Sequence, residues 1–463
     1  MPVQFQNLPP ELLPGIIEYI LRPEHLQSVC LVNRILYVFA HPVLYERVVI
    51  RPWQWNAKRK LIQLFQTLQQ NPRLARLVRR LASNQEIRDF PKGLLNNDYE
   101  QLVKSLISSI ENATNLHTCI FTRDGCLTSE ILKALQSLPQ LRELEINGQH
   151  QDNYDPNVLP QFKHLSKISL IMPSHLVISV LPAWIGATRG TLRSFTLICK
   201  LSNFVSDATL KGLHPLPKLE HLHLIGCPKV TQDGVMTVIN ANITGIISLG
   251  LEGLSPQFNV SAFSERCFAR GGLTQLKSFT FALHPGNLDH TWAEGALNLL
   301  AQSPLEIFQL YSLGGGADAL EANRLCHQLV EAHGHRMTCF SYSRLLLELS
   351  SIRSMCEGCP NLTQLFVFIS SRDLNALGPI LASAQNLRTF HANVAQFRLH
   401  HLEEANALIQ QCRPTITQFG IDTKVYQVER QLFVDERGTV KTRPVLGPIE
   451  SPEIPEQFMI ARV

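Results

Sequence analysis

The sequence predicts an α/β fold in which a short N-terminal helical module precedes a solenoid, with parallel strands on its concave side and helices outside. Three observations carry this. A pattern of the form L-x-x-L-x-L recurs twelve times from Leu116 onward. A helical pattern follows the strand pattern, as in Ile131-Leu132-Leu135 and Ala376-Leu377-Ile380-Leu381. Before all of them, residues 8–50 show helical periodicity of another kind, punctuated by proline.

The bulk numbers agree with a folded chain. Of 463 residues, 45% are apolar and 17% charged, a balance that disordered sequences lack. A formal charge of +4 is small for this length and gives no electrostatic case for nucleic acid or an anionic membrane. The eleven cysteines are scattered and odd in number, and no basic n-region with an apolar core opens the chain. These features favour a reducing compartment, cytoplasmic or nuclear. The most apolar stretch, Leu165 to Ala187, contains Lys167, His175 and two prolines, so a membrane helix is rejected there.

The module comes first, over 1–50. Pro9 and Pro10 suit a first helical turn, where a missing N–H costs little. Leu12, Leu13, Ile16, Ile17 and Ile20 then draw an apolar stripe, and Arg22-Pro23 is expected to end it. A second helix is expected from Leu26 through Val29, Val32, Leu36 and Phe39, stopping at His41-Pro42. So few residues with so many Leu, Ile and Val cannot cover their own apolar surface, so the excess meets the rest of the chain or a partner.

Residues 51–112 form a connector or cap. Leu61, Ile62, Leu64, Phe65 and Leu68 make one helical stripe, and Leu102, Val103, Leu106, Ile107 and Ile110 another. Leu77, Val78 and Leu81 between them suit a capping strand. Lys58, Arg59, Lys60, Arg73, Arg76, Arg79 and Arg80 read as a solvated face, because no stacking aromatics interleave with them.

The repeats occupy 113–424. Units begin at Leu116, Leu141, Leu165, Leu192, Leu219, Ile246, Leu276, Leu305, Met337, Leu362, Leu387 and Ile416. One strand and one helix cannot bury their apolar faces alone, so neighbours must stack. These are leucine-rich repeats of the longer, irregular type. The tail, 425–463, places Val425, Val428, Leu432 and Val434 before Asp435-Glu436-Arg437-Gly438 and Val440, the pattern of a hairpin closing the last open edge, with a loose proline-rich end beyond Pro444.

Two segments carry a family resemblance. Leu8-Pro9-x-Glu11-Leu12-Leu13, then Ile16-Ile17-x-x-Ile20, Leu26 and Leu31-Val32-Asn33-Arg34 resemble an F-box, over about a tenth of the chain. The chain departs from the family's last element, with Asn33 for the cysteine and Leu36 near the usual tryptophan. Leu219 to Val235 (LEHLHLIGCPKVTQDGV) resembles the cysteine-containing repeat subtype seen in F-box proteins, and Gly358 to Leu362 echoes it. The resemblance implies a non-catalytic receptor of an SCF-type ubiquitin ligase that delivers a protein target for ubiquitin-dependent degradation. It implies adaptor contact, and through the adaptor a cullin, for Leu8, Pro9, Leu12, Leu13, Ile16, Ile17, Leu26, Val29 and Val32. Some of these hold the module's own core, and the sequence does not separate the two sets. The rival reading is a leucine-rich-repeat scaffold acting outside a ligase.

Catalytic and metal chemistry find no footing. Cys356-Glu-Gly-Cys359 has no second pair at metal-ligand spacing, and Cys359 matches the buried cysteine slot of Cys227. Gly314-Gly315-Gly316 lacks the lysine and hydroxyl of a phosphate loop, and His333-x-His335 is isolated. No cofactor is expected. What remains is the strand face, where Glu143, Glu145, His221, His223, Gln309, Tyr311, Phe366, Phe368, His391 and Asn393 alternate outward. No arginine-rich cluster is visible among them, which argues against phosphate recognition. Phe366 and Phe368, two aromatics on one face, are unusual in water, so a target patch is expected around Tyr311, Phe366, Phe368 and His391.

Overall fold

The structure, a computed structural model, describes residues 9–20, 23–50, 57–83, 96–122, 125, 127–199, 202–271, 273–283, 292–312, 319–395, 401–435 and 437–448. The chain divides into two compact units, one built mainly from 1–199 and one mainly from 219–450.

The first unit opens with α1 (Leu13–Glu18), α2 (Pro23–Cys30) and α3 (Arg34–Glu46). A 3-10 turn at Pro10–Leu12 feeds α1, and Pro23 is the first residue of α2, the position where proline's missing N–H is free of cost. The second helix expected from the sequence is thus two helices, split at Leu31–Asn33. Asn33 adopts extended backbone and its side chain accepts the N–H of Leu36 at 2.8 Å, a cap that turns the chain into α3. Pro42 does not stop α3, which runs on to Glu46. Leu36 and Ala40, earlier in the same helix, are buried against α1 and α2, and that packing outweighs one missing backbone bond.

Six parallel strands follow in chain order: β1 (Arg47–Ile50), β2 (Arg80–Ser83), β3 (Thr118–Phe121), β4 (Glu143–Asn147), β5 (Lys167–Ile171) and β6 (Ser194–Ile198). The parallel sheet therefore starts inside residues read as the helical module, before the first L-x-x-L-x-L unit. Leu81, Cys119, Leu144, Ile168 and Phe195 stand in register and are buried, forming the inner row. Helices Ser129–Gln136 and His175–Thr188 are capped by Thr128 and Ser174, whose hydroxyls accept N–H groups three residues on. Each such cap contributes about 1 kcal/mol.

The second unit continues the scheme with β7 (His221–Ile225), β8 (Ser248–Glu252), β9 (Ser278–Leu283), β10 (Ile307–Ser312), β11 (Cys339–Leu346), β12 (Gln364–Ser370), β13 (Thr389–Ala395) and β14 (Gln418–Ile421), all parallel. Its inner row mixes Leu222, Leu249 and Leu365 with phenylalanines. Phe279, Phe308 and Phe340 lie 6.3 and 6.4 Å apart, and Phe390 meets Phe419 at 5.4 Å. Every one of the twelve strands β3 to β14 begins two residues after a unit start read from the sequence. The register is broken in β11 between Ser341 and Leu346, where Arg344 takes a φ of 57° and the strand bulges.

The last two strands reverse direction. β15 (Lys424–Val434) pairs antiparallel with β14 through its first four residues, and β16 (Val440–Pro448) pairs antiparallel with β15 along nine positions. Asp435 closes their turn, accepting the N–H groups of Arg437 and Thr439 while its carboxylate meets Lys441 at 2.7 Å.

Candidate partner-binding surfaces

The module separates the two apolar sets that the sequence leaves mixed. Leu13, Ile17, Leu26, Leu36 and Ala40 are buried together, with Val29, Phe39, Val43 and Leu44 packed around them. These residues hold the module. Pro9, Leu12, Ile16 and Val32 face water instead, and Leu8 lies outside the described residues. Of the nine sequence-derived adaptor residues, Leu13, Ile17 and Leu26 are thus core, and Val29 is partly so.

The exposed set is larger than the sequence suggested. Tyr19, Leu31, Ile35, Tyr37 and Val38 join it, with Tyr19 at 87% and Leu31 at 81% exposure. Eight of the eighteen exposed large apolar side chains among the described residues lie between Leu12 and Val38, so the concentration is local. Leu12, Ile16 and Tyr19 follow an i, i+4, i+7 spacing and make one stripe along α1. Ile35 and Val38 share one face of α3 at i, i+3, and Leu31 lies exposed in the turn before it. A surface this apolar is ordinarily covered by a partner.

The expected target patch of the second unit differs from its forecast. Phe366 is only 5% exposed and His391 only 4%. Strand alternation does put both on the outer face, but their rings stack at 6.3 Å with a 27° interplanar angle. The His391 ring also fills the space over Gly420, which has no side chain to resist it. Neighbouring strands are about 4.8 Å apart, so large residues in one row bury each other. Phe368 is half-exposed, beside Leu346 and Asn393 in register.

Tyr311 is occupied internally. Its hydroxyl donates to the carboxylate of Glu252, a residue only 1% exposed. Burial raises the Glu252 carboxyl to about 7, partly offset by the Tyr311 bond. Burial and the Glu252 charge together push the Tyr311 hydroxyl upward. The pair is a buried acid–phenol contact of the strand face, unannounced by any local motif.

A basic feature also escaped the sequence. Arg47 of β1 and Arg80 of β2 are Cα partners in the parallel sheet, and both are exposed. Val48 and Leu81 beside them are buried, so the two arginines point outward from one face. Arg80 was expected on a solvated face of the connector, within the capping strand read from Leu77, Val78 and Leu81, and no arginine cluster was expected on the strand face.

The cysteines are inert in this setting. Burial pushes the Cys356 and Cys359 thiols up to about 12, far from a reactive thiolate. Among the described residues, no group of three or more His, Cys, Asp or Glu is arranged to hold a metal ion. Gly314 to Gly316 lie outside the described residues. No described helix is long and apolar enough to cross a membrane.

The repeating strand-and-helix architecture defines a leucine-rich-repeat fold. No family model and no curated protein matches the sequence. Among solved structures, the chain is similar to the leucine-rich repeat-containing protein LegL7 from Legionella pneumophila, at 11% identity and a TM-score of 0.37, over 70% of this chain and 92% of that one. It is also similar to a chain in the complex of Rad7 and Elc1 from yeast, at 14% identity and a TM-score of 0.39, over 86% of this chain and 96% of that one. Both are distant, and neither bears on function.

Proposed function

We propose that this chain is the target-recognition subunit of an SCF-type, cullin-RING E3 ubiquitin ligase, its N-terminal module holding the adaptor and its repeats holding a protein target. The observation that carries this is the split within the module. A small core keeps three helices together while two groups of apolar side chains, on α1 and around the start of α3, are left in water. Fully burying one Leu or Ile side chain contributes about 1.5–3 kcal/mol, so a few of these residues suffice for a stable helix-on-helix interface. The F-box resemblance of the same segment says what kind of partner fits it.

The mechanism is proximity. The receptor supplies no reacting group; it raises the concentration of the target's lysines beside an enzyme held by other subunits. Such a protein works in the cytoplasm or nucleus and needs no cofactor.

The test is co-purification with the ligase adaptor, beside a Leu12→Asp, Ile16→Asp variant. Both side chains are exposed, so the variant is expected to fold and to lose adaptor capture. Failure of the unaltered, folded chain to bind adaptor would sink the proposal in favour of a scaffold acting outside a ligase.

A further inference from the structure

At its C-terminal end the sheet outruns its helix layer. β14 has four residues and pairs with the first four of β15, yet β15 runs for eleven and carries β16 with it. Register puts the even-numbered residues of both hairpin strands on one face. That face is the inner one, because Tyr426 stands beside the buried Phe419. Near the root of the hairpin it is covered: Val428 and Pro444 are buried and Leu446 is half-buried. The helix His401–Gln411 packs there against β16, and the Gln410 side chain donates to the Pro444 carbonyl at 2.9 Å. Farther out the same face is open. Leu432, Val434 and Val440 are 73%, 65% and 62% exposed, with Thr442 exposed beside them.

A two-stranded ribbon with water on both faces is only marginally stable, so an apolar face on it calls for cover. Three observations select the cover. A helix already lies over the root of this face, so a further helix continues the existing layer. An added strand at the open edge of β16 is disfavoured, because Pro444 and Pro448 have no N–H to donate and Gln410 already bonds one carbonyl. The surroundings are basic: residues 430–443 hold four cations and two acids. Lys441 is engaged with Asp435, whereas Arg430 and Arg437 are exposed and in no ion pair among the described residues. Arg430 uses one N–H on the Arg413 carbonyl at 3.4 Å, which leaves its charge uncompensated. These two arginines bound the apolar face at its root and at its turn. A second copy laid on it about a two-fold axis would set one arginine end over the other, cation against cation.

We propose that the outer half of the β15–β16 hairpin docks an acidic amphipathic helix of a partner protein. Its apolar stripe lies on Leu432, Val434 and Val440, and its carboxylates meet Arg430 and Arg437. From Arg430 to Val434 the strand advances roughly 13 Å, the length of about nine helical residues. Apolar residues at i, i+3, i+4 and i+7 therefore fit this face. A nucleic acid fits less well, because the face offers aliphatic side chains and no aromatic on which a base stacks. The inference does not rest on the receptor reading.

The probe is a fluorescently labelled synthetic helix with leucine at those positions and glutamate and alanine elsewhere, titrated with the full-length chain and read by anisotropy. Two controls keep its length: one scrambles the same residues so that no stripe remains, the other replaces glutamate by lysine. The acidic stripe is expected to bind at least tenfold more tightly than either. A Leu432→Ser, Val440→Ser variant changes only exposed side chains and should lose about tenfold in affinity or more, while Arg437→Glu should narrow the gap between the acidic and basic helices. Equal binding of the three peptides by the unaltered chain overturns the proposal, whatever the variants do. So does binding that both variants leave unchanged, or displacement of the helix by a short oligothymidylate. Light scattering that shows a dimer dissolved by Leu432→Ser, Val440→Ser also overturns it, and gives the face to a second copy.

Discussion

Leucine has opposite fates in two parts of this molecule. In the repeat around β7, Leu219, Leu222 and Leu224 are all sealed from water. In the N-terminal module, Leu12 and Leu31 lie open to it while Leu13 and Leu26 do not. A repeat can seal its apolar residues because the next repeat arrives with the same shape and covers them. Three short helices have no such neighbour on every side, so their excess apolar surface waits for something else. The comparison teaches that the same composition serves internal stacking in one region and external contact in the other.

The difference can be broken at its strongest point first. Phe390→Ala removes a ring from the inner row of the second unit and is expected to destabilise that unit by roughly 3–5 kcal/mol, read by urea denaturation. Adaptor capture by the module should persist in the folded fraction.

A second effect depends on pH. The Glu252 carboxyl is raised from 4.5 to about 7 by burial, so its ionised form is the costly one in the folded chain. Its contribution to stability is full below the unfolded value near 4.5 and is lost as pH rises through about 7. Glu252→Gln, which keeps the shape without the charge, should therefore be the more stable chain at pH 8, by roughly 3 kcal/mol. The gap should close below pH 4.5, as denaturation midpoints across that range will show.

Smaller effects belong to the module. Asn33→Ala removes the cap of α3 and should cost about 1 kcal/mol in that helix, seen as faster amide exchange over 34–46. Ile35→Ser changes an exposed side chain and should leave stability within about 0.5 kcal/mol while weakening adaptor capture at least tenfold. A stability loss comparable to Phe390→Ala would mean that Ile35 belongs to a core after all.

The repeat was legible because its signal is written twelve times and each copy names its own inward residues. Strand β2 overlaps the capping strand expected at Leu77, Val78 and Leu81, whereas β1 was not legible, its four residues Arg47–Ile50 lying in a stretch without the leucine pattern. Pairing of β1 with β2, and of β2 with β3, shows that both belong to the repeat sheet. In the module, Leu12 with Ile16 and Leu13 with Ile17 are adjacent stripes of the same period. Periodicity predicts a helix from either, and tertiary packing alone decides which turns inward. Alternation likewise assigned Phe366 and His391 to the outer face, yet a face is not an exposure when neighbouring rings cover each other. The bond between Tyr311 and Glu252 joins residues from two strands with a third between them, a relation no local pattern records.

Amide hydrogen exchange of the full chain with and without the ligase adaptor tests the central claim most directly. The account predicts added protection over 12–19 and 31–38, where the exposed apolar side chains lie, and unchanged exchange in β7 to β14. Protection confined to the repeats, or none anywhere under conditions where the chain is folded, would contradict it.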